Sequence, residues 1–297
     1  MSSKAEETFD RVSTTAQFVA YWRQYTDIPF ALDVAVYINA NETIETFLRD
    51  NHVAPGEVSW YAPLFEVRYK SIQEAVRRFG LQQVVELASG FSLRGLSLTR
   101  DPGITYIETD LRGLTDEKAA LVSGLRQKYG LSDYGNFHMS AADALDPGQL
   151  MFAARLLRDD RPAAVVSEGL FPYLTVREME TVVINIKTLL ARYGGVWITP
   201  DFLLKGDGTR TFQQRRQVGD AIAQLTGRRL HSTMFDSEQQ LFSFFERFGL
   251  QAGVLNQADL APDIVSLKAL NLPQDIIEKA RPKLNLWVLT LSNTAKP

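Results

Sequence analysis

The period of the apolar positions changes near residue 80. Before it, apolar side chains recur every three or four residues: Phe18, Val19, Trp22 and Tyr25, then Leu32 and Val36, then Ile44, Phe47 and Leu48. That spacing predicts amphipathic helices, interrupted at Pro29 and at Asn39-Ala40-Asn41. Residues 65–79 predict one more helix that leads directly into the next region. From there on, short apolar runs at 84–87, 104–107, 137–139, 163–167 and 196–199 alternate with helical stretches at 93–98, 115–129, 150–157 and 175–193. The short runs read as strands, and 163–167, apolar throughout, as one covered on both faces. Thr115, Thr175 and Ser237 are placed to cap helices, and Gly194-Gly195 to stop one just before the fifth strand, which carries Pro200-Asp201 at its tip. Residues 252–255 and 284–291 predict two last strands without a long amphipathic helix between them, so one member should run antiparallel. Residues 262–282, with mixed charges and Pro273, are too irregular to place.

Strands alternating with helices specify an α/β fold: a doubly wound, mostly parallel seven-stranded sheet of the Rossmann-like kind. The expected organisation is a single domain over 1–297. It comprises a helical cover (1–80), a ligand-binding core (81–202), a helical insertion after the fifth strand (203–236) and the last strands (237–297). The insertion is rich in Arg and Gln and is expected to lie over the carboxyl edge as a substrate lid.

Composition narrows the function classes. With 297 residues, 45% of them hydrophobic, the chain can bury a full core. It has no cysteine, which excludes disulfides and thiolate metal sites and fits a reducing, cytoplasmic compartment. No metal ligand set stands out. A net charge of −3 without a basic patch argues against nucleic acid. No apolar run reaches the ~18 residues of a membrane helix, and the start, MSSKAEETFDR, lacks the apolar segment of a signal peptide.

The candidate chemistry gathers after the first strand. Ala88, Ser89 and Gly90 form a turn small enough for a ligand to approach the backbone. The helix after it should aim free N–H groups over that turn. Glu108 and Asp110 are expected at the carboxyl end of the second strand. An acid about 20 residues past such a turn grips a ribose in open parallel sheets. Asp143, at the end of the third strand, can accept from an exocyclic adenine amine. NAD and S-adenosylmethionine both fit an acid there. However, Ala88 occupies the place of the first fingerprint glycine and no second glycine for a pyrophosphate follows Gly90, which favours a ligand without phosphates. Arg68 and Lys70 are candidate cations on the helix ahead of the first strand. His138 reads as a satisfied strand residue and His52 as an exposed one.

Three stretches together resemble the class I S-adenosylmethionine-dependent methyltransferases of the leucine carboxyl methyltransferase and polyketide O-methyltransferase group. VVELASGFSLRG (84–95) is similar to the family's first motif, with Ala88 for its usual glycine, Ser92 for its usual aspartate, and Arg94 matching. IETDLRGLTDEK (107–118) resembles the second, with Asp110 and Lys118 at the family's spacing. RPAAVVSEGLFPYLTVREM (161–179) resembles the most distinctive one, with Glu168, Gly169, Tyr173 and Leu174 in register. The resemblance covers residues 65–202. It implies that S-adenosylmethionine is the cofactor. It also implies that Glu86 and Gly90, beside Ala88, hold the methionine part, Asp110 the ribose, and Ala142 with Asp143 the adenine. Glu168 would lie near the ammonium and sulfonium, and Arg68 would meet the cofactor carboxylate.

The activity so implied is methyl transfer to a carboxylate or hydroxyl of a small molecule. Such a displacement needs positioning more than a nucleophile, and alignment is worth about 7–11 kcal/mol. A carboxylate acceptor needs no base; for a phenol or enol, His231 and Tyr173 are the candidates. Alternatives are a protein carboxyl methyltransferase, a cofactor-binding module without turnover, and an NAD-linked oxidoreductase.

Overall fold

The computed structural model describes residues 15–204 and 235–292. They form two compact units: 15–71 with 257–284, and 72–204 with 235–256 and 285–292. Residues 257–284 cluster with the N-terminal helices.

The first unit is helical: α1 (residues 15–23), α2 (Ala31–Tyr37), α3 (Ala40–Asp50), α4 (Pro55–Val58) and the first part of α5 (Tyr61–Arg78). Phe18 and Trp22 are buried as their spacing predicts, and Phe18 packs edge-on against Tyr61 at 5.0 Å between ring centroids. In α3, Ile44 and Leu48 are buried. In α2 the expectation fails. Leu32 and Val36 are 59% and 65% exposed, while Ala31, Val34 and Ala35 face inward. Small residues suit a close approach, so the inward stripe is one position out of phase with the larger side chains. The stretch 262–282, which sequence left unplaced, holds the short helices Val265–Ala269 and Ile276–Ala280. Their residues Leu267, Ile277 and Ala280 share a core with Val67 of α5.

The second unit is built on a seven-stranded sheet: β1 (Gln83–Leu87), β2 (Thr105–Asp110), β3 (Phe137–Ala141), β4 (Ala163–Ser167), β5 (Gly195–Thr199), β6 (Leu250–Asn256) and β7 (Asn285–Leu291). The spatial order is β3-β2-β1-β4-β5-β7-β6, with β7 antiparallel to both neighbours. This is the doubly wound, mostly parallel arrangement expected, including the antiparallel member. Order reverses between β1 and β4, where ligands of such sheets bind off the carboxyl ends. Helices α6 (Arg94–Leu98), α7 (Arg112–Tyr129), α8 (Pro147–Ala154), α9 (Val176–Tyr193) and α10 (Glu238–Glu246) cover it. Val85, Leu87, Ile107 and Trp197 pack with residues of α8, α9 and α10 in one large core. Strand side chains alternate faces, so Glu86, Tyr106 and Glu108 project to the other side.

Local signals account for most boundaries. Thr175 caps α9 through a reciprocal pairing with Glu178, and Ser237 accepts from the Gln240 N–H at the start of α10. Thr115 is not a cap: α7 begins at Arg112, and the Thr115 hydroxyl donates to the Asp110 and Leu111 carbonyls within its first turn. The proposed lid at 203–236 lies outside the described residues but for its edges, where Leu204 and Phe235 form an isolated parallel bridge.

Candidate functional site

The rim formed by the ends of β1, β2, β3 and β4 brings together most of the residues singled out from sequence. After β1 the chain turns through Ala88 and Gly90, both left-handed with φ of +50° and +52°. Such a backbone is strained for alanine and free for glycine. The Ser89 N–H donates to the Thr109 carbonyl at 3.0 Å, which lashes the turn to β2. At the tip of β2, Asp110 Oδ2 accepts from the Gly90 N–H at 2.7 Å, and Oδ1 from the Leu111 N–H at 2.8 Å. Burial raises its pKa against the pull of those two amides.

Beneath this surface lies a buried charged layer. Glu86 and Glu108 stand side by side in the register of β1 and β2. Glu86 accepts from Arg94 Nη1 and, at 2.7 Å, from the Tyr106 hydroxyl. Arg94, fully buried, also donates to Glu168 Oε2 at 2.6 Å. It therefore joins β1 to the segment after β4. Glu108 Oε1 accepts from the Gly95 N–H at 2.9 Å, and Oε2 lies 2.5 Å from Lys118 Nζ. Lys118 donates at 3.1 Å to the Ser89 hydroxyl, back in the turn. Desolvation lifts the Glu108 pKa to about 7, outweighing Lys118 and aided by Glu86. Gly95 is required here by packing. A Cβ on it would stand 2.6 Å from the Phe137 ring and 2.7 Å from that of Tyr106.

Two expectations change. Glu108 lies inside β2, not at its end, and is occupied below the turn, so of the two acids Asp110 is the one at the tip. The α6 helix does not aim its Gly95 amide over the turn; Glu108 takes it. The contributions of Arg94, Lys118 and Tyr106 were not assigned from sequence. The available signals were the motif positions of Arg94 and Lys118 and the hydroxyl of Tyr106 inside an otherwise apolar run.

Toward β3 the rim opens into a cavity of about 680 Å³ lined by Leu111, Ala141, Ala142, Asp143, Gln149 and Phe152, among others. Asp143 Oδ1 accepts from the Leu145 N–H at 2.9 Å, and the Asp143 N–H donates to Gln149 Oε1 at 3.0 Å, which fixes the bend after β3. The Ala142 N–H donates to the Asp110 carbonyl at 2.8 Å. Tyr173 is half-buried in the 3₁₀ turn Phe171–Tyr173, five residues beyond Glu168. Arg68 belongs to the first unit, half-buried on α5. His231 lies outside the described residues. His138 is half-buried on β3 with its pKa lowered by burial, and His52 is exposed. No helix among the described residues is long and apolar enough to cross a membrane, and among them no cluster of His, Asp or Glu could hold a metal ion.

Comparison with known proteins bears on this arrangement. The family model for leucine carboxyl methyltransferase matches residues 40–187, about half of the chain, and these include the whole rim from β1 to β4. A provisionally named S-adenosyl-L-methionine-dependent methyltransferase of Mycobacterium tuberculosis is 30% identical over 110 residues, 37% of this chain and 33% of that protein. A similarly named protein of Mycolicibacterium paratuberculosis is 28% identical over 123 residues, 41% of this chain and 38% of its own length. The matches thus span roughly a third of these relatives. Among solved structures, a DUF574 family protein of Streptomyces avermitilis superposes with a TM-score of 0.58 at 14% identity, covering 94% of this chain and 97% of that one, which shows a shared fold. The sheet order, the acid rim and the matched motifs agree: the chain belongs to the leucine carboxyl methyltransferase family.

Proposed function

We propose that this protein is an S-adenosylmethionine-dependent O-methyltransferase that methylates a carboxylate or hydroxyl group of a small molecule. The observation that carries the reading is Asp110. A half-buried carboxylate stands at the tip of β2, locked by two backbone amides beside the glycine turn and one residue before Leu111, which lines a cavity that can receive a nucleoside. The residues fit such a ligand. A carboxylate has about four acceptor positions, so Asp110 can keep both amides and still accept from two ribose hydroxyls. Asp143 and Ala142 border the cavity where an adenine would lie. Beyond Gly90 nothing stands within 4 Å of the place a Cβ would take, which leaves room for the methionine part.

When bound, the cofactor supplies an electrophilic methyl group on a sulfonium sulfur. The work of the chain is then to hold both partners aligned and to keep water away. Glu168 presents its carboxylate from the segment after β4, with 8% of the side chain accessible, and suits the cationic centre of the ligand. Glu86 and Arg94 sit behind it and fix its direction. Arg68 is assigned the cofactor carboxylate on the family pattern. When the acceptor is a hydroxyl, Tyr173 as its phenolate, or His231, is the candidate to take the proton; a carboxylate needs no base.

Calorimetry with S-adenosylmethionine tests the reading. The wild-type protein should bind, and Asp110→Ala should lower affinity at least about tenfold, since charged hydrogen bonds are lost, with circular dichroism unchanged. Absence of heat from the wild-type protein at high micromolar cofactor would overturn the proposal.

A further inference from the structure

Asp201 follows β5 at a strand tip and is 4% exposed. Three consecutive backbone donors converge on its carboxylate. Gly169 N–H reaches Oδ1 at 2.7 Å; Leu170 N–H and Phe171 N–H reach Oδ2 at 2.8 and 3.1 Å. Its own N–H donates to Thr199 Oγ1 at 3.2 Å, which holds the residue against the end of β5. The three amides belong to the turn that starts immediately after Glu168. Gly169 has a φ of +77°, so the chain changes direction right beside the Glu168 side chain. Downstream, the same turn sets the start of the 3₁₀ segment that carries Tyr173.

We infer that Asp201 is a positioning residue for Glu168: by gripping the 169–171 backbone from β5, it sets the place from which the Glu168 carboxylate meets Arg94 and the cofactor. This rests on the reading of Glu168 given above. The chemistry requires an acid. Three N–H groups need acceptors, and charge-assisted bonds from amides to a carboxylate are short and about twice as strong as neutral ones. An asparagine would keep one acceptor oxygen and turn an NH₂ group toward remaining donors, leaving a buried amide unsatisfied. Glu168 has Arg94 to hold its head, but the head alone does not determine the backbone of a left-handed turn. Asp201 supplies that second anchor from a strand the motif match does not include, since the family match ends at residue 187.

A double-mutant cycle on S-adenosylmethionine binding separates this role from plain stabilisation, because a merely structural acid would not couple to Glu168. Asp201→Asn and Glu168→Gln should each weaken binding about tenfold. The double variant should also lose only about tenfold, where independent effects would give about a hundredfold. Gly169→Ala strains the same turn while leaving the Asp201 side chain itself in place, and should show the same coupling to Glu168→Gln, which keeps the test open if Asp201→Asn does not fold. Additive losses, or an unchanged affinity in either Asp201→Asn or Gly169→Ala, would overturn the inference. A wild-type protein that binds no cofactor would instead overturn the functional reading on which it rests.

Discussion

Glu66 in the helical unit and Glu108 in the sheet unit are both almost wholly buried, and each meets a lysine. Their surroundings differ in kind. Glu66 accepts from Lys70 at 2.6 Å and from the Val265 and Ser266 N–H groups at 2.8 and 2.9 Å. It thereby caps the helix Val265–Ala269 from α5, about 200 positions away in sequence. Every bond of that acid ends in scaffold. Glu108 also ties scaffold together, through Gly95 and Lys118, but its neighbours in the field include further carboxylates, Glu86 among them. Glu86, Glu108, Asp110 and Glu168 all lie at or just under one rim, with Arg94 paired to Glu86 and Glu168 and Lys118 to Glu108. Burial by itself therefore does not mark a ligand site here. Crowding of like charge at converging strand ends is the feature that points to a candidate site, since folding alone gains nothing from it.

The largest expected effect breaks that rim. Arg94→Ala leaves Glu86 and Glu168 facing each other without their shared cation and should cost about 3–5 kcal/mol in urea unfolding, the range for a severed buried pair. Cofactor binding should fall with it. Glu66→Ala should cost somewhat less, about 2–3 kcal/mol, because Lys70 keeps Asp27 at 2.7 Å, and should leave cofactor affinity in the folded protein unchanged. If Glu66→Ala weakened binding as much as Arg94→Ala, the contrast between the two acids would be lost.

The next effect is proton-linked. Burial raises the Glu108 pKa to about 7, well above its ordinary range near 4.5. Between those values the folded protein holds a proton that the unfolded chain has lost. This contribution to stability is complete below pH 4.5 and disappears as pH climbs toward 7, with a span of up to about 3 kcal/mol. Urea unfolding of the wild-type protein between pH 5 and 8 should show this decline, and Glu108→Gln should flatten it. A wild-type profile with the same slope as that of Glu108→Gln would show that Lys118 keeps the carboxylate ionised throughout.

The same contrast explains what could be read from sequence. The sheet was legible because its strands are short, apolar and regularly spaced, and because β4, with no polar residue until Ser167, can only be an inner strand. The acids at the tips were legible as residue types at the ends of such runs. Which of Glu108 and Asp110 stands at the tip was not, since β2 extends three residues beyond the apolar run that announced it. Pairing across elements was equally hidden: nothing in the order of residues says that Lys118 reaches back to Ser89, or that Asp201 takes the amides of 169–171. In the helical unit the reading was weaker. In α2 the larger apolar residues lie outward and the alanines inward, so size and hydrophobicity pointed to the wrong face. Residues 257–284 form helices of four or five residues, too short for any periodicity to show.

The smallest effect concerns backbone strain, which the two units also place differently. In the helical unit, left-handed residues such as Phe30 and Asn39 stand at the starts of α2 and α3, where the chain changes direction between helices. In the sheet unit, Ala88 takes φ +50° inside the turn after β1, at the place where the family usually has glycine. A left-handed conformation costs an L-residue roughly 1–2 kcal/mol, whereas glycine adopts it freely but loses about 0.5–1 kcal/mol more to chain entropy on folding. The difference predicts that Ala88→Gly stabilises the protein by about 0.5–1 kcal/mol, read as a rise in the denaturant midpoint at constant slope. Cofactor affinity should hold or improve slightly, because the Ser89 and Gly90 amides keep their bonds to Thr109 and Asp110. A lower midpoint would mean that the Ala88 methyl group, half-buried where it stands, contributes packing that exceeds the strain. The alanine would then be a fitted part of this rim rather than a tolerated departure from glycine.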